Sequence, residues 1–126
     1  MNTIETNPLA LIIEDNDSLT DIFTQAMKIA GFEIQTVADG LQAIDRLASI
    51  EPAVVILDLY LPGVSGDKIL TYIRNESRLN KVVIVLTTFD SLLADKFRDL
   101  CDYVLLKPVS FSQLRDLGIH LRGDIE

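Results

Sequence analysis

Five short apolar runs punctuate this chain, and each is followed by a segment whose apolar residues recur at helical spacing. The runs are Leu9–Ile13, Ile34–Ala38, Val54–Leu57, Val82–Leu86 and Tyr103–Leu106. Three of them are nearly continuous in Val, Ile and Leu, the composition of strands covered on both faces. Strand-type runs alternating with helical segments predict an α/β domain with a parallel sheet and helices on both of its faces.

The helical segments can be placed by their periodicity. In the first, Leu19, Ile22, Phe23, Ala26, Met27 and Ala30 share a face, with Asp17 or Ser18 able to cap the start and Gly31 the end. The second, Leu41–Ile50, turns Ala43, Ile44, Leu47 and Ala48 inward and stops before Pro52. The third, Asp67–Asn75, offers Ile69, Leu70 and Ile73. The fourth, near Leu92–Leu100, offers Leu93, Phe97 and Leu100, and the fifth, near Ser112–Leu121, offers Leu114, Leu117 and Leu121. His120 reads as a helix-surface residue. At 126 residues the chain has room for one such domain. Residues 1–7 read as a loosely held N-terminal tail and residues 8–126 as the domain.

Composition removes several function classes. The net charge of −8 argues against a nucleic-acid surface, which needs clustered Lys and Arg, and against anionic membranes. No apolar stretch approaches bilayer length, and Met1-Asn2-Thr3-Ile4-Glu5 has no signal-type pattern, so a cytoplasmic location is expected. The single cysteine, Cys101, excludes an internal disulfide and reads as a small core-facing residue. No GxxxxGK or GxGxxG occurs, which argues against a nucleotide-binding enzyme.

The charges that do not fit a plain core stand at the carboxyl ends of the runs. Glu14 and Asp15 end the first, Asp58 the third and Lys107 the last, while Thr87 follows Leu86. In an open parallel sheet, that edge is where ligands bind. Two like charges about 4 Å apart repel by roughly 4 kcal/mol at an effective dielectric of about 20, so three clustered carboxylates call for a cation. Hard carboxylate oxygens at an open, wet site favour Mg²⁺. A metal, an ammonium, a hydroxyl and a free carboxylate oxygen together equip a site for phosphoryl transfer onto aspartate. Taken singly, Thr87 would be an ordinary strand residue, Pro62-Gly63 a plain turn and Lys107 a solvated strand end.

In four stretches the chain resembles the response-regulator receiver domains of two-component signalling, the CheY-like superfamily. They are Leu11-Ile12-Ile13-Glu14-Asp15-Asn16, Ile56-Leu57-Asp58-Leu59-Tyr60-Leu61-Pro62-Gly63-Val64-Ser65-Gly66, Val85-Leu86-Thr87-Thr88 and Leu106-Lys107-Pro108. The resemblance implies a doubly wound, flavodoxin-like sheet of order 2-1-3-4-5. It implies that Asp58 accepts a phosphoryl group from a sensor histidine kinase or phosphotransfer protein. Asp15, Asp58 and the backbone carbonyl of Tyr60 would hold Mg²⁺, with Glu14 acting through a water. Lys107 would contact the phosphoryl oxygens, Thr87 would move to bond them, and Tyr60, Thr88 and Phe89 would flank them. The Lys107–Pro108 peptide would be cis. The fourth helix, fifth strand and fifth helix would form the output face toward a downstream effector, and a homodimer would use that face too. Such a domain catalyses its own phosphorylation and dephosphorylation and is not otherwise an enzyme.

The chain departs from the family pattern in ways that carry expectations. Glu14 stands where Asp is more frequent. Leu100-Cys101-Asp102 replaces a small-residue segment, and a short Thr87-to-Lys107 interval predicts an abbreviated fourth helix or exit loop. The switch aromatic expected three residues before the lysine is Val104, and the neighbouring Tyr103 points to the opposite face of its strand. The aromatics Tyr60 and Phe89 predict a shielded, slowly hydrolysed acyl phosphate. Two other functions fit less of the pattern. A Mg²⁺-dependent aspartate phosphatase, which would carry a D-x-D pair after the first strand, is the weaker alternative. A non-phosphorylated interaction module of the same fold would not need Asp58 and Lys107.

Overall fold

The protein is described here from a computed structural model, which covers residues 7–125. All of the expected tail except Asn7 lies outside those residues. Among them, five strands alternate with five helices: β1 (Leu9–Ile13), α1 (Asp17–Ala30), β2 (Glu33–Val37), α2 (Gly40–Leu47), β3 (Val54–Asp58), α3 (Gly66–Asn75), β4 (Val83–Thr88), α4 (Ser91–Phe97), β5 (Tyr103–Leu106) and α5 (Phe111–Asp124). Short 3₁₀ turns follow α3 at Ser77–Leu79 and α4 at Arg98–Leu100. All strand pairs are parallel, in the order β2-β1-β3-β4-β5. This is the expected doubly wound, flavodoxin-like sheet.

Period-two alternation divides the core. Ala10, Ile12, Val54, Ile56 and Val85 face α1 and α5, where they meet Phe23, Ala26, Met27, Leu114 and Leu121. Their strand neighbours Leu11, Ile13, Val55, Leu57, Ile84 and Leu86 face the other way, against α2, α3 and α4. Fully burying one such side chain contributes about 1.5–3 kcal/mol. The three apolar strands, β1, β3 and β4, are therefore the central ones. The flanking strands are more open: Glu33 and Thr36 of β2 and Leu106 of β5 are exposed.

Several local expectations are corrected. The N-cap of α1 is Asn16 rather than Asp17 or Ser18; its side chain accepts the Leu19 amide at 2.9 Å. An Asn cap leaves the two following residues free to form the first turn. Ile22 is exposed, because the buried stripe of α1 narrows to Phe23, Ala26, Met27 and Ala30 against the sheet and α5. Helix α2 begins at Gly40, capped by Asp39, and ends at Leu47, so Ala48 lies past it and is exposed. Leu100 is also exposed, since α4 tightens into a 3₁₀ turn before reaching it. β2 runs one residue earlier than expected, and β4 starts at Val83 and continues through Thr87 and Thr88. That continuation places Thr87 inside the strand, level with Asp58. Gly31, by contrast, closes α1 as expected, with φ at 106°. At seven residues α4 is the shortest of the five helices, in line with the short interval before Lys107. The Cys101 thiol is half-buried and donates to the Phe97 carbonyl at 3.1 Å. No helix among the described residues is long and apolar enough to cross a membrane.

Candidate phosphoacceptor site

Strand register assembles the site. Ile13 pairs with Leu57, Asp58 with Thr87 and Thr88 with Leu106. Glu14 thus emerges beside Asp58, and the Lys107 amide donates to the Thr88 carbonyl at 2.8 Å. Carboxylate oxygens of Glu14, Asp15 and Asp58 come within 4.8 Å of one another. Glu14 and Asp58 are buried, at 3% and 4% exposure, while Asp15 is open to solvent.

Lys107 is the cation inside this cluster. Its Nζ donates to Glu14 Oε1 at 2.8 Å and lies 3.3 Å from Asp58 Oδ2. The Lys107–Pro108 peptide is cis. Burial alone would push the ammonium toward losing its proton; Glu14 and Asp58 together outweigh burial and hold its pKa above the ordinary lysine value. Burial also raises the Glu14 pKa, with the Asp58 charge adding to it, against the lowering bonds from Lys107 and the Asn16 amide. Both Glu14 oxygens are occupied: Oε1 by Lys107 and Oε2 by the Asn16 amide at 3.1 Å. The extra methylene of Glu14 thus reaches a lysine 93 residues away in the chain, a pairing that sequence reading did not anticipate.

The loop after β3 is held tightly. The Tyr60 amide donates to Asp58 Oδ1 at 3.2 Å. The Gly66 amide donates to the Leu59 carbonyl at 3.0 Å, and a Cβ at Gly66 would sit 2.4 Å from the Asp58 carbonyl oxygen. On the loop's other side, Gly40 donates to the Pro62 carbonyl at 3.0 Å, and a Cβ there would overlap the Val64 carbonyl at 1.7 Å. Only glycine allows either approach.

Thr87 is buried, and its hydroxyl donates to the Leu57 carbonyl at 3.5 Å. The Thr88 hydroxyl accepts the Asp90 amide at 3.1 Å. Tyr60 and Phe89 are 58% and 72% exposed at the rim, and Lys107 Nζ lies 5.6 Å from the Phe89 ring centre. Sequence reading missed Asp90. It caps α4 by accepting the Leu93 amide at 3.0 Å, and its other oxygen accepts the Tyr60 hydroxyl at 3.2 Å. The Leu93 bond chiefly holds the Asp90 pKa below the ordinary aspartate value, and the bond to Asp90 raises that of Tyr60. An aspartate placed just before an apolar helical run was the available signal.

Residues 10–117 match the family described as the response regulator receiver domain. The chain belongs to that family. This receiver domain is 39% identical over 108 residues to the transcriptional regulatory protein HprR of Escherichia coli K12, covering 82% of this chain and 47% of HprR. It is 33% identical over 116 residues to the transcriptional regulatory protein TrcR of Mycobacterium tuberculosis, covering 90% of this chain and 43% of TrcR. It thus spans somewhat less than half the length of these relatives. Its fold is similar to that of the receiver domain of sensor histidine kinase PA1611 from Pseudomonas aeruginosa PAO1, described with a magnesium ion coordinated in the active site cleft. That likeness has a TM-score of 0.82 at 22% identity, over 94% of this chain and 99% of that one.

Proposed function

We infer that Asp58 accepts a phosphoryl group from a phosphohistidine of a sensor kinase or phosphotransfer protein, and that the protein then signals to a downstream effector. The observation that carries this reading is one buried carboxylate with a lysine on one oxygen and a backbone amide on the other: Lys107 at 3.3 Å from Oδ2 and Tyr60 at 3.2 Å from Oδ1. In the transfer, a carboxylate oxygen of Asp58 forms the new P–O bond as the P–N bond of the donor breaks, and the imidazole leaves with the electron pair. Lys107 carries a third N–H, beyond those toward Glu14 and Asp58, for the transferred oxygens. Thr87, level with Asp58, has a hydroxyl that can exchange the Leu57 carbonyl for a phosphoryl oxygen by rotation about its side chain.

The donor set suits a hard divalent ion: three carboxylates within 4.8 Å against a single ammonium leave the cluster short of positive charge. Asp15, Asp58 and the Tyr60 carbonyl would hold Mg²⁺. Glu14, with both oxygens engaged, is better placed to orient Lys107 than to bind metal, and its expected water-mediated role is secondary. Bound there, Mg²⁺ would supply charge neutralisation for the phosphoryl oxygens. Output through α4, β5 and α5 is supported by the exposed Leu92, Leu106 and Ile119, and a homodimer would use the same face. A cytoplasmic location accords with a phosphorelay partner.

Mass analysis after incubation with acetyl phosphate and Mg²⁺ tests the reading. The wild type should gain one phosphoryl group and Asp58→Asn none. Timing the decay sharpens it: Tyr60→Asn and Phe89→Glu should shorten the lifetime several-fold by admitting water. Absence of an Asp58-dependent adduct would overturn the assignment.

A further inference from the structure

Tyr60 bonds at both ends. Its amide donates to Asp58 Oδ1 at 3.2 Å, and its hydroxyl donates to Asp90 Oδ2 at 3.2 Å, thirty residues along the chain. Asp90 is in turn built into the start of α4. Its Oδ1 accepts the Leu93 amide at 3.0 Å, its carbonyl accepts the Ala94 amide at 3.0 Å, and its own amide donates to Thr88 Oγ1 at 3.1 Å. One residue therefore joins the Asp58 carboxylate directly to a helix cap.

The route through β5 is altered in this chain. Val104 packs on the α3–α4 side of the sheet and Tyr103 on the α1–α5 side. Val104 has neither a ring nor a hydroxyl with which to answer a movement of Thr87. The Tyr60–Asp90 pair lies on the same side of the site as α4 and needs no help from β5. We propose that Tyr60 is a positioning residue that ties the Asp58 loop to the first turn of α4, and that this tie relays phosphorylation of Asp58 to that helix.

The relay rests on the phosphoacceptor reading. Transfer of a phosphoryl group to Asp58 turns its carboxylate into an acyl phosphate, which removes negative charge from the carboxyl oxygens and weakens them as acceptors for the Tyr60 amide. Tyr60 then resets its backbone, and its hydroxyl shifts or releases Asp90. Coupling of this kind is reciprocal, so loosening the cap also changes how the loop presents Asp58.

Hydrogen exchange at the Leu93 and Ala94 amides, in wild type and Tyr60→Phe, tests both parts. The substitution keeps the ring and the backbone amide and removes only the hydroxyl. In the unmodified protein these amides should exchange about threefold faster in Tyr60→Phe, as expected for losing one modest hydrogen bond. On loading with acetyl phosphate and Mg²⁺, with the two proteins compared at adduct levels matched by mass, their exchange should change in wild type and stay unchanged in Tyr60→Phe. Asp90→Ser keeps a capping oxygen and loses the one facing Tyr60. It should behave like Tyr60→Phe, and the double variant should go no further than either. Wild-type exchange in unmodified Tyr60→Phe would overturn the tie. A full response of Tyr60→Phe to loading would overturn the relay. No adduct on the wild type would overturn the phosphoacceptor reading and the relay with it, while the unmodified comparison still decides the tie.

Discussion

Asp58 and Asp102 sit at opposite ends of the sheet and meet opposite fates. Asp102, at the amino end of β5, has its charge matched. Its Oδ2 accepts Arg74 Nη2 at 2.9 Å and the Ile84 amide at 2.8 Å, and Arg74 also donates to the Leu100 and Val82 carbonyls at 2.8 and 3.0 Å. One carboxylate meets one guanidinium, and the result is a clamp between the end of α3 and the β4–β5 edge. At the carboxyl end, Glu14 and Asp58 share Lys107, and Asp15 adds a third carboxylate to the same cluster. What separates the two ends is this surplus of negative charge, carried by two buried carboxylates and one exposed one. The surplus costs stability, and on the function proposed above it is what a divalent cation and a phosphoryl group would use.

Removing the cation from each end should separate the two. Lys107→Ala leaves a buried acid cluster uncompensated and should cost about 3–5 kcal/mol in urea unfolding, with millimolar Mg²⁺ recovering part of the loss. Arg74→Ala should cost about 2 kcal/mol through its lost hydrogen bonds, and Mg²⁺ should not restore it. Equal responses of the two variants to Mg²⁺ would erase the distinction. The smallest effect has the opposite sign. Asp58→Asn relieves repulsion and should raise stability by about 1 kcal/mol without divalent ions, while reducing the stabilisation that Mg²⁺ gives the wild type. A destabilised Asp58→Asn would show that Asp58, like Asp102, is held mainly as a structural partner.

Much of this is legible in the sequence. The nearly continuous Val, Ile and Leu of β1, β3 and β4 marked the strands that the sheet buries on both faces. The acids and the lysine were visible as charges at the ends of apolar runs, because little else places a charge there. What failed was local. Ile22 and Ala48 fit a helical period but lie at its margins, where a neighbouring element must be present for burial to follow. The cap of α1 shifted to Asn16 because three adjacent residues, Asn16, Asp17 and Ser18, all have capping side chains, and the chain's exit from β1 decides among them.

By itself, the sequence determined the alternation of elements, the two-faced core and which residue types stand at the carboxyl edge. Periodicity and strand-end position are properties of nearby residues. Only the tertiary structure decided the pairings: Glu14 with Lys107, Tyr60 with Asp90, Arg74 with Asp102, and the turning of Thr87 toward Leu57. Each joins groups far apart in the chain at hydrogen-bond distance. A bond of that length depends on strand register and loop path to within an ångström, which residue type and spacing alone do not specify.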